Sequence, residues 1–116
     1  MKHTLTLPWP PTFNTYWRFV KGRVLISKKG RQYRKAVQDE ALVQGFPRLG
    51  DARLRVAVLA YPPDRRRRDL DNLPKGLLDA LGHAGVYDDD SQIDDLRIKR
   101  GLPIKGGLVD LEIEAA

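Results

Sequence analysis

The first residues alternate polar and apolar positions: "HTLTLPW" places Leu5 and Leu7 on one side of an extended chain, and Pro8, Pro10 and Pro11 end it. Two short apolar runs, "YWRFV" and "RVLIS", flank "KG", a two-residue link of the right length to turn a hairpin. The period then changes. Ser27 stands where a helix N-cap belongs, and Tyr33, Ala36, Val37, Ala41 and Val43 recur near helical spacing through "KKGRQYRKAVQDEALVQ". After the breaker-rich "GFPRLGD", "RLRVAVLAY" returns to alternation, with Leu54, Val56 and Val58 on one face.

A second helix is predicted over "LPKGLLDALGHAG", with Asn72 as its cap, Pro74 in its first turn and Gly85 near its stop. Leu77, Leu78 and Leu81 form its core stripe. "IDDLRIKRG" and "LVDLEIE" read as two closing strands joined at "PIKGG", the latter alternating Val109, Leu111 and Ile113 with Asp110, Glu112 and Glu114. The order β-ββ-α-β-α-β-β predicts an α+β fold, a mixed sheet flanked by two helices, and not a helix-turn-helix module. With 116 residues and no repeat or linker, one domain over 1–116 is expected.

Charge adds a direction. The formal net charge is +6 and the sequence pI about 9.8, which favours an anionic partner, nucleic acid first. Residues 1–38 contain nine Lys or Arg and no acid, while residues 64–95 hold nine aspartates. The absence of cysteine excludes disulfides and thiolate metal sites and suits a reducing compartment. The N-terminus lacks a signal peptide's apolar core and no run reaches membrane-spanning length, so a cytoplasmic protein without a membrane partner is expected.

The densest charges of both signs adjoin in "PPDRRRRDLDN", residues 62–72, and "YDDD" adds Asp88, Asp89 and Asp90. Like charges about 5 Å apart at an effective dielectric near 20 repel by roughly 3 kcal/mol, so water, arginine or a metal ion must offset them. If the chain is still extended at Asp69 and Asp71, their side chains point the same way. Asp90 follows after a segment able to return to the same place. Three converging aspartates make a hard-oxygen site for Mg²⁺ or Mn²⁺. Lys75, four residues after Asp71, would meet the charge developing on a phosphate.

Each piece also has a plain reading. D-x-D is often a capped turn, "YDDD" a polar loop, "RRRR" a solvated strand end and Lys75 a surface lysine. His83 has only His3 as a fellow histidine, which argues against a histidine-based centre. Trp9, Phe13, Tyr16 and Trp17 are read first as core or interface residues, and second as platforms for opened bases.

Together these residues resemble the RusA family of Holliday junction resolvases, small endodeoxyribonucleases often carried by phages and prophages. The likeness runs from "TLPWPP" through "GRVLISKKGRQYR" and is strongest over "PPDRRRRDLDNLPKGLLDALGHAGVYDDDSQIDD". It implies a Mg²⁺-dependent enzyme, with Mn²⁺ as substitute, that acts as a homodimer on four-way DNA junctions by paired symmetric nicks. By position it implies Asp69, Asp71 and Asp90 as metal-binding catalytic acids, Asp90 because it immediately precedes "SQ", with Asp89 the near miss. Lys75 is implied as the catalytic lysine, between an unusual Pro74 and Gly76. Arg65, Arg66, Arg67 and Arg68, with Lys28, Lys29 and Arg31, are expected to hold DNA phosphates. A branched-DNA-binding protein that does not cut is the alternative. A nucleotide-sugar transferase using D-x-D fits a chain of this length poorly.

Overall fold

The computed structural model describes residues 1–116. The strands are β1 (His3–Pro8), β2 (Trp17–Val20), β3 (Arg23–Ile26), β4 (Leu54–Tyr61), β5 (Ile93–Arg100) and β6 (Leu108–Ala115). The helices are a single turn α1 (Phe13–Tyr16), α2 (Lys28–Val43) and α3 (Leu73–His83). Short 3₁₀ turns at Leu70–Asn72 and Asp90–Gln92 bracket α3. The α+β class and the mixed sheet are as the sequence predicts.

Four strands form one sheet in the order β1-β6-β4-β5, and β2 and β3 form a separate hairpin. β4 and β5 run parallel while β6 is antiparallel to both β1 and β4. The strands joined through "PIKGG" are therefore not neighbours, because β4 lies between them. The register sets Leu5 opposite Leu111 and Leu111 opposite Val58, so the alternating apolar positions of three strands fall on one face. That face, including Leu54, Val56 and Ile113, packs with Tyr33 and Val37 of α2 and Leu77, Ala80 and Leu81 of α3 in one buried core. Burying each such Leu, Val or Ile side chain stabilises the fold by roughly 1.5–3 kcal/mol. The opposite face stays open as a groove of about 710 Å³ lined by Thr4, Thr6, Ala57, Arg97, Asp110 and Glu112, among others, away from every predicted catalytic acid.

Ser27 caps α2 as expected, its hydroxyl accepting from the Gly30 N–H at 2.9 Å. α3 stops at His83, and Gly85 follows with φ +81°, the left-handed position that glycine fills at a helix end. Asn72 does not cap α3. Its backbone is helical and its side chain makes no cap bond, because the 3₁₀ turn ahead of α3 already fixes the entry. No helix is long and apolar enough to cross a membrane.

Candidate active site

β4 ends at Tyr61, and the chain then turns sharply around Asp64. The Asp64 carboxylate accepts from the Arg66 N–H at 2.9 Å and from Arg68 Nη1 at 2.7 Å. The Arg68 bond, ahead of the Arg66 one, holds the Asp64 carboxyl below its ordinary range. Arg68 also lies over the Trp9 ring at 5.9 Å, and its carbonyl accepts from Arg100 at 2.6 Å. The arginine run thus divides: Arg68 is turned inward and fixes the loop, while Arg65, Arg66 and Arg67 are exposed.

Asp69 is extended at φ −90°, ψ 129°, but Leu70–Asn72 form a 3₁₀ turn. The strand-like alternation assumed for Asp69 and Asp71 does not reach Asp71, since a 3₁₀ turn rotates successive side chains by about 120°. Asp69 borders a cleft of about 240 Å³ with Trp9, Arg67 and Asn72. Asp71 is exposed on the turn, and Lys75 is exposed in the first turn of α3.

The second acidic segment is built around Gln92, the one buried polar side chain of the core region. Its Oε1 accepts from the N–H groups of Asp88 and Asp89 at 3.1 and 2.9 Å. Its Nε2 donates to the carbonyls of Gly50 and Ala52 at 2.8 and 2.6 Å. Asp89 caps the following 3₁₀ turn by accepting from the Ser91 N–H at 3.0 Å, and bonding to Ser91 holds its carboxyl below the ordinary range. Asp89 is thereby committed to a cap; all three aspartates are exposed, Asp88 ahead of the cap and Asp90 as the first residue of the turn.

Asp88, Asp89 and Asp90 line a cleft of about 230 Å³ with Asp79, His83 and Arg34. Arg34 was not singled out from the sequence. Its Nε and Nη2 donate to one Asp79 oxygen at 2.9 and 2.8 Å, and the buried Tyr16 hydroxyl donates to the same oxygen. Burial works against the Arg34 charge, but the Tyr16 and Asp79 bonds outweigh it and raise its pKa. In the sequence Arg34 shows only as the neighbour of Tyr33 beside core positions, which does not distinguish a half-buried ion pair from a surface arginine.

These two acidic places do not meet within one chain. Gln92 ties the backbone of Asp88 and Asp89, and with it the adjoining Asp90, to residues 50–52 ahead of β4, whereas Asp69 and Asp71 follow the end of β4. α3, eleven residues and hence about 16 Å long, lies between them. No group of three His, Cys, Asp or Glu side chains is placed to hold a metal ion. Asp69 and Asp71 are not neutralised by arginine either, since the loop's ion pairs go to Asp64.

The other expected phosphate contacts stand on α2. Lys28 and Lys29 open the helix, Arg31 follows, and the first turn holds no acid. Three cations at the positive end of the helix dipole repel it, an arrangement that an anion would relieve.

Comparison with known proteins places the chain among relatives. The family described as Endodeoxyribonuclease RusA matches residues 8–114. A relative from Enterobacteria phage HK97, named Crossover junction endodeoxyribonuclease rusA, is 46% identical over 112 residues, covering 97% of this chain and 93% of its own. Relatives of the same name from Shigella sonnei (strain Ss046) and Escherichia coli (strain K12) are 41% and 40% identical, each covering 96% of this chain and 92% of their own.

Proposed function

The chain belongs to the RusA family of endodeoxyribonucleases, and on that premise we propose that it is a crossover junction endodeoxyribonuclease that resolves four-way DNA junctions by paired nicks. What carries the reading is the family match over residues 8–114, supported by near-full-length identity to proteins bearing that name. Exposed Arg65, Arg66 and Arg67, with Lys28, Lys29 and Arg31, supply phosphate contacts that position DNA without reading its sequence. Arg68 acts in this reading by holding the loop rather than by reaching DNA.

Asp69, Asp71, Asp90 and Lys75 are the proposed catalytic set, and Mg²⁺, replaceable by Mn²⁺, the proposed cofactor. One chain does not bring the three aspartates together, so a single copy does not fit the ion. A homodimer is proposed for two reasons. Two-fold symmetry matches the two equivalent strands of a junction, and a second copy offers its own carboxylates to either half-site. A cytoplasmic location accompanies this role.

A second reading, a protein that holds branched DNA without cutting, draws on the same observation that the acids stay apart. Substituting Asp71→Asn separates the two. Junction cleavage in Mg²⁺ should fall to background while junction binding is kept or tightened, because a negative charge near phosphate is removed. Wild-type cleavage by Asp71→Asn would refute the site assignment. Wild-type protein that binds junctions but cuts none in Mg²⁺ or Mn²⁺ would establish the second reading.

A further inference from the structure

The hairpin β2–β3 belongs neither to the main sheet nor to the acidic clefts. Its base is fixed. The Trp17 ring meets Tyr16 edge-on at 4.9 Å, the Ser27 N–H donates to the Tyr16 carbonyl at 2.9 Å, and α2 approaches closely at Gly30.

Its outer half is bare. Phe19 and Val24 pair across the strands on one face, and each is 58% exposed. Val20 and Leu25 are exposed on the other. The one aromatic neighbour of Phe19 is Phe13, at 6.0 Å. Four apolar side chains held in water on a two-stranded arm lose the burial that a partner would provide.

The tip carries an independent sign. Lys21 is the sole non-glycine residue with positive φ, at 48°, and Gly22 follows at 75°, the geometry of a type I′ turn. That first position favours Asn, Asp or Gly. A lysine there accepts backbone strain to set a cation at the outermost point of the arm. Arg18 and Arg23 flank it, and no acid occurs anywhere in residues 1–38.

The occupant must therefore be polyanionic and must also present apolar faces. The cations Arg18, Lys21 and Arg23, with no acid beside them in residues 1–38, mark the tip for an anionic occupant, a charge that the apolar face of another protein does not supply. Paired duplex DNA is anionic, but its base faces are stacked out of reach. A branch point offers both phosphates and unstacked bases. Resting on the junction reading above, we infer that the β2–β3 hairpin is a wedge that sets Phe19 and Val24 against unstacked bases at the branch point, with Arg18, Lys21 and Arg23 on the flanking phosphates. The placement is coherent with cleavage. Trp17, at the base of the arm, lies 6.0 Å from the guanidinium of Arg34, which lines the Asp88–Asp90 cleft. From there the strand reaches outward by roughly 10 Å.

The test uses a four-way junction carrying 2-aminopurine next to the branch point, in EDTA so that no strand is cut, with a linear duplex of the same arms. Wild-type binding should raise 2-aminopurine fluorescence. The double variant Phe19→Ala/Val24→Ser should lose most of that rise and about tenfold of its junction-over-duplex preference, while its duplex affinity and unfolding temperature stay at wild type. Phe19→Trp should retain the rise. A wild-type rise and preference in the double variant would overturn the wedge alone. A double variant that instead shifts from dimer to monomer in sedimentation would also overturn it, by making the patch a protein contact. Wild-type protein with no junction preference would overturn the junction reading itself, and the wedge with it.

Discussion

Gln92 shows how one side chain can decide where an acid stands. Its amide satisfies two backbone donors of the Asp88–Asp90 loop and two backbone acceptors ahead of β4, all in a buried place. Gln92→Leu fills the same space but leaves those groups without partners. It should lower stability by roughly 3 kcal/mol in urea denaturation, and a loss under 1 kcal/mol would mean that water replaces the amide. The tyrosines give a pH test. Burial first, and then the bond to Asp79, raises the Tyr16 phenol; burial likewise raises Tyr33 and Tyr87. A group raised above its unfolded value near 10 contributes stability that is complete below that pH and is lost as pH rises through the folded pKa. Phenolate absorbance from these three residues should therefore appear only together with loss of far-UV circular dichroism, well above pH 10. Smooth ionisation near pH 10 in a folded protein would contradict their burial. The sequence offers Asp89 and Asp90 as alternatives by type and spacing, and of the two it is Asp89 whose side chain makes a cap bond. It could not mark Gln92 or Arg34, because a buried polar network has no period.

At the scale of elements, local rules held where one face is buried. Alternation placed β4 and β6, and Ser27 capped α2. They failed where the chain leaves a strand: Asp71 sits on a 3₁₀ turn instead of an extended chain, and Asn72 leaves its cap unmade. α2 also shows packing overruling propensity. Replacing Gly30 by alanine should favour an isolated helix by about 1 kcal/mol. Here the added Cβ would lie 2.5 Å from the Tyr16 carbonyl oxygen and 2.8 Å from Ile26. Gly30→Ala should thus destabilise the protein by roughly 1–3 kcal/mol and loosen the hairpin base. An increase in unfolding temperature would show that α2 moves away freely.

At the scale of the molecule, topology explains why the three aspartates were expected together and are found apart. β5 runs parallel to β4, so the chain must return to the starting end of β4 before β5 begins. α3 makes that return, carrying Asp90 away from Asp69 and Asp71. Spacing alone reveals a helix between the acids but not that it is the crossover of a parallel pair. The charge distribution, by contrast, was legible from the start, because the cations of the first third other than Arg34, and Arg65 to Arg67 of the loop, remain exposed. Arg67→Ala should weaken junction binding and flatten its salt dependence by about one unit of slope, as fits a single phosphate contact. Arg68→Ala should instead lower stability, since it removes the Asp64 and Trp9 contacts of the loop. Equal effects of the two on the salt slope would refute the division of the run.

Cutting of branched DNA by this chain can be read from a labelled synthetic four-way junction incubated with the purified protein, with and without Mg²⁺ and beside linear duplex. Symmetric nicks in the junction alone, dependent on the metal, are the expected result. Tight junction binding without cleavage in either Mg²⁺ or Mn²⁺ would instead make the protein a binder of branched DNA and not a nuclease.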